Sequence, residues 1–352
     1  MSRTKKAILI FTVIIILACV VLIVFKAINP IYLLPQPKLG TGIYRLVGAY
    51  TDKGLTTFYG NGLIWSPNGK YIAGIVQKYG YPDFCFLCGS PHAEIFIIDV
   101  AKMEKQIILE SNSDHPVNFD PPISWFPDSE HLSFMRGQYI DNNRKIWLTD
   151  LAGKDIHKFM NEVGDPVWSP DGSKVALLEK RNDSGNWMSF LYVLDLSTQE
   201  KRLIRESEGA GFFIDSVSWT PDGKNLIYIY GLTQDYDVVQ AKILLFNIES
   251  GDLLQIMNDS YEYLGAEYSP VNSLIVLQRF DKSQPDFDHR YMTVIWDFLN
   301  KCEIVLPIPS ASKSSWSPNG QKLVIRAGGD AYIVDLTKFI GDKFVQTGSI
   351  CP

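Results

Sequence analysis

One short phrase recurs six times along the chain, and a repeat at near-constant spacing constrains architecture before any single residue does. Its copies are Trp65-Ser66-Pro67-Asn68-Gly69-Lys70, Trp125-Phe126-Pro127-Asp128-Ser129-Glu130, Trp168-Ser169-Pro170-Asp171-Gly172-Ser173, Trp219-Thr220-Pro221-Asp222-Gly223-Lys224, Tyr268-Ser269-Pro270-Val271-Asn272-Ser273 and Trp316-Ser317-Pro318-Asn319-Gly320-Gln321. Five of the eight tryptophans lie in it, so the repeat accounts for most of the chain's rarest aromatic. The leading aromatics are 60, 43, 51, 49 and 48 residues apart. That spacing holds one four-stranded unit of the ~40–50 residues found in propeller repeats. Proline presets φ at the first corner of a tight turn, Asp or Asn suits the next, and Gly accepts positive φ. Such a turn joins two antiparallel strands.

Apolar runs follow the turns, among them Tyr71–Val76, Lys174–Leu178, Asn225–Tyr230, Ser273–Leu277 and Lys322–Ile325. They are too short for ordinary helices and nearly continuous in apolarity, as strands covered on both faces are. A third strand then recurs at Glu94–Asp99, Lys145–Asp150, Phe190–Asp195, Ile243–Asn247, Thr293–Asp297 and Ala331–Asp335, each ending in Asp or Asn. Tryptophan, Ser-Pro-Asp-Gly-Lys, an apolar strand and then a strand ending in Asp resemble the TolB-type beta-propeller repeat, a WD-like family, over residues 41–352. The resemblance implies an all-β fold: a six-bladed beta-propeller of four-stranded antiparallel blades. The second copy departs from the pattern at Ser129, and the fifth has lost both its Trp and its Asp-Gly. Ring closure is expected from an extra early strand at Ile43–Val47, because full closure removes exposed sheet edges.

The N-terminus places the domain. Ala7 to Phe25 is 19 residues without a charge. As a helix it is roughly 28 Å long, close to the ~30 Å hydrocarbon core of a bilayer. Arg3, Lys5 and Lys6 precede it, so the basic flank is expected in the cytoplasm and the propeller outside. This divides the chain into a cytoplasmic N-terminus (1–6), a transmembrane signal anchor (7–25), a linker (26–40) with Pro30, Pro35 and Pro37, and the propeller (41–352). Two other readings put the propeller on the same side: a cleaved signal peptide, or lipidation at Cys19 in Ile16-Leu17-Ala18-Cys19. The expected location is the cell membrane, single-pass, with the propeller extracytoplasmic. The chain's net charge is −6, and three of its basic residues sit before the anchor. A propeller this acidic lacks the footprint of a nucleic-acid binder.

Cys85, Cys88, Cys302 and Cys351 would lie outside the membrane, where disulfides persist. A bond between Cys85 and Cys88, bracing the longest inter-strand insertion, is the preferred reading of the first pair; the second pair, Cys302 and Cys351, reads as two unpaired thiols or as a bond tying the tail to the fifth blade. That bond would close a loop of about 50 residues and stabilise by ~3–4 kcal/mol in the chain-entropy model. A metal site at Cys85 and Cys88 would gain one candidate ligand in His92, but a fourth is not evident. No metal and no cofactor are called for.

No G-x-S-x-G elbow accompanies the propeller, which argues against a prolyl-oligopeptidase type of enzyme, and no Walker loop, H-E-x-x-H or EF-hand pattern occurs. His92, His115, His131, His157 and His289 show no ligand spacing. Topology is more informative. In an antiparallel blade the first and third turns share one face, so the Ser-Pro-Asp-Gly turns lie together and the variable loops lie opposite. Those loops bring out Tyr81, Asp141, Trp187, Asp235, Tyr236, Asp237, Asp286, Phe287 and Asp288 as ligand-face candidates. Asp is also a common turn former and aromatics anchor long loops, so the same residues have a purely structural reading. The function expected is a non-catalytic binding or scaffold module for a protein or small extracytoplasmic ligand. The alternative is an enzyme (lyase, cyclase or glycan-acting hydrolase) with its site at the channel mouth, an analogy from fold alone.

Overall fold

The structure, a computed structural model, describes residues 32–47, 63–78, 92–110, 123–136, 145–161, 164–183, 186–234, 237–257, 262–281, 291–308, 311–327 and 330–351. Among the described residues, twenty-five strands form six antiparallel sheets. The first blade is β3 (Ile64–Trp65), β4 (Tyr71–Lys78), β5 (His92–Asp99) and β6 (Glu104–Glu110). The second is β7 (Ser124–Trp125), β8 (His131–Arg136), β9 (Lys145–Asp150) and β10 (Ile156–Met160). The third is β11 (Asp165–Trp168), β12 (Lys174–Asp183), β13 (Asn186–Asp195) and β14 (Lys201–Glu206). The fourth is β15 (Phe212–Trp219), β16 (Asn225–Gln234), β17 (Asp237–Asn247) and β18 (Leu253–Gln255). The fifth is β19 (Glu262–Tyr268), β20 (Leu274–Phe280), β21 (Tyr291–Asp297) and β22 (Cys302–Leu306).

The sixth blade joins the two ends of the domain. Its own strands are β23 (Ala311–Trp316), β24 (Lys322–Ala327) and β25 (Asp330–Asp335). Its fourth strand is β2 (Ile43–Val47), which pairs antiparallel with β25 through Ile43 opposite Val334. The early strand expected to close the ring is therefore the one that does so. A fifth strand, β1 (Tyr32–Pro35), pairs with β2, so part of the 26–40 segment read as a linker is ordered in the sheet. Residues 7–25 lie outside the described residues. Among the described residues no helix is long and apolar enough to cross a membrane.

The apolar side chains sort into six buried clusters, one between each pair of neighbouring blades. Strand parity explains this. Leu226 and Tyr228 of β16 pack against the third blade, while Ile227 and Ile229 pack against the fifth. Ile72 faces the sixth blade and Ala73 the second. A second strand that must fill two interfaces has no polar side to spare, hence its unbroken apolarity. After β25 the chain turns into α1 (Leu336–Phe339) and α2 (Asp342–Thr347). Leu336, Phe344 and Ile350 join the core between the fifth and sixth blades.

Candidate functional site

The recurrent turn satisfies its own polar groups. Ser169 Oγ donates to Asp171 Oδ1 at 2.7 Å and accepts the Lys174 N–H at 2.9 Å. Asp171 Oδ1 also accepts the Ser173 N–H at 3.0 Å. The same set recurs at Ser66/Asn68, Thr220/Asp222 and Ser317/Asn319. These bonds, the Ser169 hydroxyl first, hold the Asp171 carboxyl down at about 2. Glycine is needed twice over at Gly69: its φ is 71°, and an added Cβ would lie 3.1 Å from Pro318 of the neighbouring turn. In the second copy Ser129 takes the same conformation, φ 61°, and its Oγ accepts the Asn68 N–H of the first turn at 3.0 Å. The Asp or Asn that ends the third strand caps the next turn in the first five blades; Asp195 Oδ1, for one, accepts N–H groups of Ser197 and Thr198. The two turns of a blade meet where the Val100 N–H donates to the Lys70 carbonyl at 2.9 Å, a contact repeated from Leu196 to Ser173 and from Ile248 to Lys224. The turn face is thus a lattice of local hydrogen bonds. His131 opens β8 and His157 lies in β10, and they pair with Asp128 and Asp155 of the preceding turns at 2.6 and 3.1 Å.

The inner strands of all six blades enclose a central channel of about 300 Å³. Ser124, Ser216, Ser218, Ser314 and Ser315 line it, with Asp165, Asp215, Glu267 and Lys313. Asp215 pairs with Lys180 of the third blade at 3.5 Å. The wall bulges between Asp215 and Ser218, where Ser216 has φ 51° and donates its N–H to Asp215 Oδ1 at 2.7 Å. Bulges of this kind re-aim side chains and recur beside binding sites. Glu267 borders the channel, and its Oε1 accepts the Trp316 N–H at 3.2 Å. Burial among the surrounding protein pushes its carboxyl up to about 8, against the pull of the Trp316 N–H and the Ser315 hydroxyl. None of these channel acids was among the sequence candidates. An acidic residue just before a repeat aromatic, as Glu267 precedes Tyr268, was the available signal.

The loop-face candidates divide between described and undescribed residues. Tyr81, Asp141, Asp235, Tyr236, Asp286, Phe287 and Asp288 lie outside the described residues, as do Cys85 and Cys88. Asp237 begins β17. Trp187 is described and 46% exposed, but it sits in β13 opposite Asn182 rather than in a loop. The reason is hairpin length. β12 and β13 pair over ten residues down to Asp183 opposite Asn186, and β16 and β17 pair down to Gln234 opposite Asp237. Among the described residues the pairings in the second and sixth blades run over six residues. Of the loops expected to carry Trp187 and Tyr236, residues 181–183, 186–187, 231–234 and 237 are therefore ladder. On the third-blade ribbon Arg181 donates to the buried Glu179 and lies 4.6 Å from the Phe190 ring, while Lys201 donates to Glu179 at 2.6 Å and covers Tyr192 at 4.4 Å. The Glu179 hydrogen bond holds the Arg181 guanidinium above its ordinary range.

Residues 90–338 match the model of the TolB beta propeller domain family. The chain belongs to this family. A putative TolB from Agrobacterium tumefaciens has the same architecture, with a TM-score of 0.56 at 15% identity over 84% of this chain and 98% of that one. An oligogalacturonate lyase from Vibrio parahaemolyticus gives a TM-score of 0.56 at 13% identity over 86% and 96%. At such identities the likeness shows the fold alone. In sequence, dipeptidyl-peptidase 5 of Porphyromonas gingivalis is 22% identical over 174 residues, which are 46% of this chain and 24% of the relative. The match thus spans about a quarter of that relative. TolB-like propellers therefore stand beside both an oligogalacturonate lyase and a peptidase.

Cys302, the first residue of β22, is disulfide-bonded to Cys351, with their Cα atoms 5.7 Å apart. The bond lies on the turn face, beside the Asp297 cap. It fastens the tail from the sixth blade onto the fifth and leaves the opposite face uncovered by the tail.

Proposed function

We propose that this chain is a membrane-anchored, extracytoplasmic binding module that engages a protein partner or small ligand with the face opposite its Ser-Pro-Asp-Gly turns. The single observation behind this reading is the pair of lengthened hairpins in the third and fourth blades. The third-blade hairpin holds Trp187, about half exposed, opposite Asn182 on its laddered ribbon. An exposed aromatic on a rigid support offers contact area at little entropic cost. The hydrogen-bonded turn face and the tail over it leave this side as the adaptable one. The anchor at residues 7–25 supports the location, since its basic flank favours a cytoplasmic N-terminus. Crosslinking and affinity capture of the intact protein from its native membrane tests the reading. Trp187→Ala, Tyr236→Ala and Phe287→Ala together should abolish capture of the partner, and unchanged capture overturns it.

A second reading, an enzyme acting at the channel mouth, draws on one observation. Glu267 holds its proton near neutral pH in a channel that also contains Asp215 and Lys313. Carboxyl groups with displaced proton affinities in a cleft are candidate acids or bases. Turnover of an acidic polysaccharide or peptide that Glu267→Gln removes would favour it over the binding module.

A further inference from the structure

We propose that the Cys302–Cys351 lock is also a latent site for a thiophilic divalent metal ion, which can hold the tail when the disulfide is reduced. The inference does not rest on the binding role proposed for the opposite face. Cys302, Cys351 and Asp297 each offer one ligand atom, and these atoms lie within 4.8 Å of one another. Asp297 is 1% exposed, and its Oδ2 is 4.0 Å from Cys351 Sγ. The carboxylate is held by its turn: Oδ1 accepts the Leu299 and Asn300 N–H groups, and Oδ2 accepts Asn300 Nδ2 at 2.8 Å. Ser349 Oγ also donates to Oδ2 at 3.4 Å and accepts the Cys351 N–H at 3.1 Å. Two sulfurs and a fixed carboxylate in so small a volume are a donor set for Zn²⁺ or Cd²⁺, with water as a fourth ligand.

The exchange balances. A dithiol reductant gives two electrons and two protons to the disulfide, leaving two thiols and becoming a disulfide itself. The metal ion then displaces both thiol protons and binds two thiolates and the Asp297 carboxylate. The fifth and sixth blades stay bridged through the same residues in either state, by a covalent bond or by a metal ion.

The repeat supplies its own control for the carboxylate. The fourth blade has Asn247 where the fifth has Asp297, and Asn247 Oδ1 caps the same turn by accepting the Glu249 and Ser250 N–H groups. Asp297→Asn therefore keeps the turn and removes a charged ligand. The experiment uses the full-length chain with Cys19, Cys85 and Cys88 changed to Ser, reduced with a phosphine and titrated with Cd²⁺. Expected are one ion per chain, a thiolate-to-metal charge-transfer absorbance, no binding before reduction, and no binding after Cys351→Ser. Asp297→Asn should weaken binding at least tenfold. A reduced chain that takes up no Cd²⁺, uptake that survives Cys351→Ser, or an Asp297→Asn effect below tenfold overturns the proposal.

Discussion

Trp219 Nε1 donates to the backbone carbonyl of Val167 in the preceding blade at 2.8 Å, and the ring repeats this latch where its sequence permits. Trp125 reaches Ile64 at 3.1 Å and Trp316 reaches Glu267 at 3.2 Å. Trp168 is relayed: it donates to Ser133 Oγ at 3.0 Å, which in turn donates to the Ser124 carbonyl at 3.1 Å. The acceptor, direct or relayed, is always the residue before the preceding blade's aromatic. The recurrent tryptophan of the motif is thus a joint between blades as well as a core residue. Trp65, at the seam where the ring closes, is the exception, because its buried Nε1 has no partner among the described residues.

That contrast predicts a difference between two like substitutions. Trp219→Phe removes a donor and strands the Val167 carbonyl, whereas Trp65→Phe removes a donor that was already unpaired. Both lose similar apolar area, so Trp219→Phe should cost about 1 kcal/mol more, the net worth of one buried hydrogen bond. Urea unfolding of the two variants measures the difference, and equal losses would refute the latch.

The fifth repeat carries a correctable defect. Val271 stands where the other turns have Asp or Asn, so Ser269 Oγ is buried without a partner among the described residues. The Leu274 N–H turns instead to Asn272 Oδ1 at 3.2 Å. Val271 is 57% exposed, so replacing it sacrifices little burial. Val271→Asp should give Ser269 its acceptor and raise stability by about 1 kcal/mol. The reverse change in an intact copy, Asp171→Val, should lower it. Thermal melting of both checks the pair of signs.

Stability should decline on both sides of a pH optimum, for different reasons. Asp171 and Asp195 are held down to about 2 from 3.8, mainly by the Ser169 and Ser197 hydroxyls. Their contribution is present above 3.8 and is lost as pH falls toward about 2. Glu267 is raised from 4.5 to about 8, so its contribution is full below 4.5 and is lost as pH rises through about 8. Glu267→Gln should therefore flatten the alkaline limb and leave the acid limb in place. Urea midpoints between pH 3 and 9 test this, and an unchanged alkaline slope would sink it.

Most of the ring was legible because its rules are local. The Pro-Asp-Gly corners announce turns, and the unbroken apolar runs announce strands covered on both faces. The closing role of Ile43–Val47 followed from the need to cover a sheet edge. The channel was not legible. Asp215 belongs to the bulged stretch of β15 and Glu267 precedes a degenerate copy, and only closure of the ring brings them together. Hairpin length also escaped. Arg181 to Trp187 is polar enough to read as a loop, yet Asn182 pairs with Trp187 because a ladder tolerates polar residues beyond the blade's buried width.

The last prediction concerns the tail. Residues 336–351 leave the sixth blade, bury Phe344 and Ile350 against the fifth, and end in the bond to Cys302. A cross-link over a sequence separation of 49 lowers the entropy of the unfolded chain. The loop-closure model values that at about 4 kcal/mol, with native packing and residual structure in the unfolded state trimming it in practice. Cys351→Ser in metal-free buffer should therefore lower unfolding stability by about 2–4 kcal/mol. The loss should be local in the native state, because α1 and α2 keep only their apolar contacts while the β2–β25 pairing still closes the ring. Hydrogen exchange should then accelerate in 336–351 and in β22, and stay slow in β24 and β25. Equal acceleration across the whole sixth blade would show instead that the disulfide, rather than the early strand β2, holds the propeller shut.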